Sequence, residues 1–312
     1  GGQTTDDECA PVRVIGKQSL TDTTTYVLAT DGDAALSSPS YMSIYSGDLY
    51  ISDTGNNRIV LVKDVGDQSV HLCAPDKWKT SFCSFSSILG QPDLFTNEVF
   101  DTQYDTIAIT YNLATSSTSD SGAWLKKHFQ NPGRIVFEPP YMYVATDEGF
   151  SRNVGLGTLE QHGRIMAFDQ DLINGAIPVC RAATWNGVAC DATYVIGQGG
   201  FEQLSFIDSG TYTDVSFNFK SIDFDLYDSI LIASSFTDNR VLLWSDYSDT
   251  ADPGVPYASK ATDPEGIFNS TAGQFLPDLK AIGPVHINEQ RGSVMFLDSL
   301  DGRIHEVRIF TY

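Results

Sequence analysis

Residues 49–62 read LYISDTGNNRIVLV: two apolar strands on either side of a short polar turn. The strands alternate apolar and small or polar residues before the turn, and turn residues of the Asp, Gly and Asn kind fill the corner. Related phrases return as SILIASSFTDNRVLLW at 229–244 and SVMFLDSLDGRIHEVRIF at 293–310. A chain that repeats one hairpin is building the same corner several times, so the repeat decides the fold.

Four segments share the order strand, turn, strand, polar turn ending in arginine, strand. The first begins SYMSIYSGDLYISDTGNNRIVLV. The second, GRIVFEPPYMYVATDEGFSRNVGLGTLEQHGRIMAF, has an enlarged turn before Arg164. The third is FKSIDFDLYDSILIASSFTDNRVLLW and the fourth AIGPVHINEQRGSVMFLDSLDGRIHEVRIF. SSILGQPD and TYVIGQGG follow the first and second as a further short strand, and PYASKATD holds that place after the third. One four-stranded sheet cannot bury two apolar faces, whereas several packed around an axis can. The expected fold is therefore all-β: a single domain over 1–312, a four-bladed β-propeller of four-stranded antiparallel blades at about 39–91, 131–198, 219–262 and 278–312. The fourth unit has three strands, and PVRVIGKQ (11–18) resembles the outer strands of the others. Pairing it with HEVRIF closes the ring and leaves no open edge.

LYISDTGNNRIVLV resembles the NHL repeat, and ILGQPD resembles the segment that commonly precedes it in secreted NHL-type propellers. The resemblance is sharp in the first unit, survives as DNRVLLW and DGRI in the third and fourth, and is weakened in the second by its insertion. The repeated residues Asp53, Asn57, Arg58, Arg164, Asn239, Arg240, Asp298 and Arg303 read as scaffold, because a function needs one site and not four. Asp53 can accept turn N–H groups, Gly55 and Asn56 tolerate left-handed backbone, and Arg58 can satisfy carbonyls of the neighbouring blade.

Nineteen basic against forty acidic residues give a net charge of -21. Such a surface repels phosphate backbones and anionic lipid, which argues against nucleic-acid or membrane-surface partners. No apolar run approaches the roughly 18 residues that span a bilayer. No secretory leader is visible, and the opening GGQTTDDECAP is compatible with a mature end left after cleavage. Cys73 and Cys83 are separated by nine intervening residues, as are Cys180 and Cys190, and each pair brackets a tryptophan, Trp78 or Trp185. The repeated spacing reads as two local disulfides and an oxidising, extracellular compartment, with paired buried thiols or a metal site as alternatives. Cys9 is left over, as a free thiol or a bond to another chain. Asn269 opens an N-x-Ser/Thr glycosylation sequon and is expected in a surface loop.

The chain holds no nucleophile elbow, phosphate-binding loop, HExxH or EF-hand loop. One constellation carries chemistry. Aligning YMSIY, RIVFE, SIDFD and PVHIN puts Ser43, Val136, Asp223 and His286 at one level of the first strands, and Tyr45, Glu138, Asp225 and Asn288 two residues on, on the same face. Asp223, Asp225, His286 and Glu138 converging on a central channel can hold a divalent cation. NHL-like propellers include metal-dependent lyases and calcium-dependent hydrolases that use the channel mouth, so the resemblance implies such an activity as one reading. The bland alternative makes Asp225 an ordinary turn aspartate. Three functions follow: a non-enzymatic extracellular scaffold that binds proteins or copies of itself, such as a filament or matrix subunit; a channel metal enzyme; and a carbohydrate-binding propeller, with Trp78, Trp124 and Trp185 as its aromatics. The expected reading is the scaffold.

Overall fold

The computed structural model describes residues 14–19, 21–65, 85, 87–91, 129, 131–148, 162–169, 191–196, 222–228, 230–235, 240–244, 266–269, 282–298, 300 and 302–308. It is an all-β protein: four antiparallel sheets and, among the described residues, one four-residue α-helix at Leu28–Asp31. The first sheet holds β1 (Tyr41–Tyr45), β2 (Asp48–Asp53), β3 (Arg58–Val62) and β4 (Ser87–Leu89), in that order. The second holds β5 (Pro132–Glu138), β6 (Tyr141–Glu148), β7 (His162–Asp169) and β8 (Tyr194–Ile196). The third holds β9 (Ile222–Tyr227), β10 (Ile230–Ser235), β11 (Arg240–Trp244) and β12 (Gly266–Asn269). The fourth has three strands, β13 (Ile282–Asn288), β14 (Ser293–Asp298) and β15 (Arg303–Arg308).

Each sheet is a meander of antiparallel sequence neighbours, with short turns between its first and second strands and longer connections elsewhere. Both faces of a sheet are apolar, and the sheets bury them against one another in chain order. Tyr50, Ile59 and Leu89 of the first sheet meet Met142, Val144 and Phe168 of the second. Tyr143, Ile165 and Ile196 of the second meet Phe224, Leu226 and Leu231 of the third. Ile230, Ile232 and Val241 of the third meet Val285, Ile287 and Phe296 of the fourth. Tyr45 also stacks on Phe137 across the first junction, ring centroids 4.5 Å apart. Buried apolar area of this kind, at about 25 cal/mol per Å², is what holds the sheets together.

The corner that names the repeat is an ion pair with no exposure to water. Arg58 Nε lies 2.6 Å from Asp53 Oδ2, and both side chains are fully buried. Asn56 donates to the same carboxylate at 2.8 Å and the Ser37 backbone N–H at 2.6 Å. Arg58 Nη2 also donates to the carbonyl of Ala35 at 2.9 Å. That carbonyl belongs to the lead-in of the same sheet. The left-handed residue is Asn57 (φ 51°) rather than Gly55 or Asn56. Gly55 serves close approach instead: a Cβ there would stand 2.8 Å from the Ser37 carbonyl oxygen. Arg164 is fully buried as well, opposite Thr146 in the register where Arg58 opposes Asp53. Asp298 is buried opposite an exposed Arg303 and receives the Leu300 N–H.

Two strand expectations are revised. The outer strand of the third sheet is β12, Gly266–Asn269, beyond the PYASKATD segment; Asn269 pairs with Arg240 and so stands on a sheet edge and not in a loop. The described part of the expected closing strand, 14–18, is bent backbone, and Ile15 packs with Leu36 against Leu49 and Val60 of the first sheet. Cys9, Cys73, Cys83, Cys180, Cys190 and Asn239 lie outside the described residues, as do Trp78, Trp124 and Trp185.

Removing one partner of a buried ion pair strands the other charge in a low-dielectric interior, at a cost of about 3–5 kcal/mol. Asp53→Ala should therefore lower stability by about that amount, read as a fall in the urea midpoint, whereas Asp48→Ala on the half-exposed start of β2 should leave the midpoint nearly unchanged.

Candidate functional site: an arginine-centred cluster of the first strands

The first strands of the four sheets converge on one place. Arg134 of β5 supplies the centre. Its Nη1 lies 3.0 Å from Asp223 Oδ2 and its Nη2 3.3 Å from Asp225 Oδ1, both on β9. Nη1 also donates to the Val285 carbonyl on β13 at 2.8 Å. The guanidinium sits over the Tyr41 ring of β1, 5.5 Å from its centroid, in cation–π range. Four sheets thus share one planar cation. A guanidinium suits this position because its five donors lie in a rigid fork that meets two carboxylates and a carbonyl together.

The carboxylates are held from the other side by backbone. Asp223 Oδ2 accepts the Val285 N–H at 2.8 Å, and Asp225 Oδ2 accepts the Ile287 N–H at 2.9 Å. Asp225 Oδ1 also takes the N–H of Leu226 at 3.1 Å. A strand that donates main-chain N–H groups to side chains of the neighbouring sheet fixes the relative height of the two sheets. Burial raises the Asp223 carboxyl above its ordinary value, and the charge of Asp225 adds to this; Arg134 and the Val285 N–H oppose it without cancelling it.

His286 completes the group. Its Nδ1 stands 2.8 Å from Asp225 Oδ2, while the imidazole keeps 59% of its surface exposed. A carboxylate on Nδ1 fixes the ring and leaves Nε2 outward.

Counting back from the arginines at or near the start of the third strands corrects the level of one expected residue. Arg58, Arg164, Arg240 and Arg303 oppose Asp53, Thr146, Ser235 and Asp298. Three residues before those stand Tyr50, Tyr143, Ile232 and Met295, whose partners on the first strands are Ser43, Val136, Asp225 and His286. Asp225, not Asp223, is the equivalent of His286, and Tyr227 is the equivalent of Glu138. Slipping a strand by two residues keeps every side chain on its face, so the expected face was right and the level wrong.

The four residues expected to hold a divalent cation do not form one set. Asp223, Asp225 and His286 come together, but around a guanidinium that already supplies the positive charge. Glu138 stands elsewhere, with the charges of Asp228 and Glu289 as its neighbours. Among the described residues, no group of three or more His, Cys, Asp or Glu side chains is arranged to hold a metal ion. Arg134 was the missed residue. Its signal lay in RIVFE itself, two positions before Val136, where the register of β5 shifts between Pro132 and Ile135. Asp225 is no ordinary turn aspartate either, since it is buried and bonded to the next sheet.

A scan against protein-family models finds no match for this chain, and a search of curated proteins finds no match either.

The charges of the cluster can be tested by substitution. Arg134→Met leaves Asp223 and Asp225 without their cation and should cost about 3–5 kcal/mol in chemical denaturation, with part of the loss recovered in Arg134→Met/Asp223→Asn. Glu138 is raised above its ordinary 4.5 by burial first, then by Asp228 and Glu289. Between that ordinary value and the raised one the folded state binds the extra proton, so this group's contribution to stability falls as pH rises through the window. Glu138→Gln should flatten the dependence of melting temperature on pH just above 4.5.

Proposed function

We propose that the four sheets are the blades of an NHL-type propeller, its ring closed by an N-terminal strand on the last blade, and that the chain works outside the cell as a non-enzymatic scaffold. In this reading it binds protein partners or copies of itself, as a subunit of a filament or matrix. The supporting observation is the Arg134 cluster. The side chains best able to do chemistry are tied to one another and to backbone, across sheets, in a way that fixes geometry. A site that bound a catalytic cation would leave those carboxylates open to it. The acidic balance fits the same reading, since a charge of -21 keeps a secreted particle dispersed until a specific contact forms. The paired cysteine spacings, Cys9 and the Asn269 sequon are the sequence features that favour the extracellular setting.

Electron microscopy and sedimentation of natively secreted material test the scaffold reading. The expected result is an ordered multimer, unchanged by a chelator and accompanied by no heat of Ca²⁺ or Zn²⁺ binding in calorimetry. A strictly monomeric species that takes up a divalent cation would replace this reading with the channel enzyme.

A further inference from the structure

The three junctions between sheets are built on one plan. Ile59, Ile165 and Val241, each one residue after the arginine of its third strand, are 2%, 0% and 0% exposed, because the next sheet lies over them. Tyr50, Tyr143 and Ile232 on the second strands share those faces and are buried with them. Against each such face the next sheet sets two residues of its first strand. These are Ile135 and Phe137 at the first junction, Phe224 and Leu226 at the second, Val285 and Ile287 at the third. Tyr50 meets Phe137 directly, ring centroids 4.8 Å apart.

Each half of that plan recurs once more, without a counterpart among the described residues. The fourth sheet ends the series with Met295 at the level of Tyr50 and Ile304 at the level of Ile59. Both stand on its free face, since Ile304 opposes Leu297, two residues beyond Met295. Ile304 is 73% exposed and Met295 half-buried. The first sheet begins the series with Met42 and Ile44 at the levels of Ile135 and Phe137, each 68% exposed. A single exposed apolar side chain means little on a protein surface. Here the equivalent positions of the other sheets are covered by a neighbouring sheet, so the exposure marks two missing halves of one junction. The lead-in does not obstruct the first of these faces. Leu36 packs on the first sheet as Phe129 packs on the second, each two residues before a positive-φ residue, Ser38 or Asn131, that precedes a proline. Nor are the two halves partners within one chain. Arg134 ties β1 and β13 to one point through the Tyr41 ring and the Val285 carbonyl, and in that arrangement both halves stay open to water.

We propose that the counterpart is a second copy of this chain: the free face of the fourth sheet packs on the free face of the first sheet of the next copy. Met295 of one chain then lies against Ile44 of the other, as Tyr50 lies against Phe137. This rests on the reading of the sheets as equivalent blades and of the chain as a scaffold that binds copies of itself. Charge favours this pairing over like on like. At the surface of the fourth sheet the described charges are Arg291, Arg303 and Arg308 against Glu289 and Glu306. Arg308 stands on the free face itself, opposite Ser293. Outside the buried Asp53–Arg58 pair, the first sheet and its lead-in carry Asp22, Asp31, Asp48 and Asp64 against Lys17 and Lys63. Fourth sheet on first sheet therefore brings opposite excesses together, whereas first sheet on first sheet sets acid against acid. The contact is heterologous, because each chain gives one surface and receives through another. The series of sheets then runs on from copy to copy, as an open polymer or as a closed ring of copies.

The test uses the full chain carrying Cys9→Ser. Met295→Cys is placed on one affinity-tagged version and Ile44→Cys on another, and the two are co-expressed. The expected result is a disulfide-linked pair carrying both tags, a linked peptide joining positions 44 and 295 in mass spectrometry, and a ladder of multimers from the double variant. A double variant that links 44 to 295 within a monomer, with no mixed pair, overturns the contact between copies and keeps the blade reading, since the two faces then meet within one chain. Absence of the link in both overturns the docking and the blade equivalence behind it. Ile304→Glu gives a second measurement without new cysteines. Its side chain is exposed, so the urea midpoint should hold while sedimentation falls to the value of a single chain. A folded variant that sediments as its parent does overturns the proposal.

Discussion

One guanidinium carries the arrangement of this molecule. Arg134 reaches two carboxylates on β9, a carbonyl on β13 and the ring of Tyr41 on β1, so every sheet has a stake in its position. Apolar contact can press sheets together at many heights, because it is proportional to area and nearly indifferent to register. Directional bonds are different. A carboxylate that accepts a strand N–H on one side and a guanidinium on the other is satisfied at one offset only, and a buried charge displaced from its partners is expensive. The cluster acts as a locating pin on top of the apolar adhesion.

The same division of labour appears at the outer corners. Asp53 and Arg58 are fully buried and mutually bonded, and the pair is bonded to the lead-in segment at Ser37 and Ala35. It therefore fixes how the chain enters its own sheet. The second sheet keeps the buried arginine with a threonine opposite, and the fourth keeps the buried aspartate with an exposed arginine. In the fourth sheet the arginine is exposed, and the aspartate accepts the Leu300 N–H. Of these three corners, the first alone opposes two buried charges across the strand pair, which is tolerable because each satisfies the other.

The sequence disclosed the strands and their order well, because alternation and turn residues are local properties. Every described hairpin of the repeat falls where the repeated phrase stands. What it concealed was level and partnership. Asp223 and Asp225 are chemically alike and two residues apart, so a slip between them costs nothing in any pattern of burial, and only the pairing of Asp225 with Ile232 separates them. Arg134 was hidden in plain view within a strand of mixed character, since nothing local says that an arginine at such a position will meet carboxylates 89 residues away. PYASKATD looked like a fourth strand by position alone, whereas GIFN has the apolar β-formers and takes the place. The likeness of residues 14–16 to 88–90 was legible in the sequence, but the bent backbone at 14–18 was not.

In the proposed scaffold, charge and strand edges together would explain how copies remain separate and still join. At a net charge of -21, two copies meeting at random faces repel one another, and salt weakens that barrier within a Debye length of about 8 Å at physiological strength. Contact through broad charged surfaces is therefore a poor basis for recognition here. A strand edge has other means: main-chain N–H and C=O groups carry no net charge, and they recognise any extended segment of matching register. Met42 and Ile44 on β1, each 68% exposed, and Ile304 on β15 add apolar surface at the two ends of the sheet series, where the three inner junctions are already closed. In that scaffold the acidic surface would disfavour approach through charged faces and favour one in which backbone and apolar side chains meet together. Its specificity comes from what the remaining surface forbids.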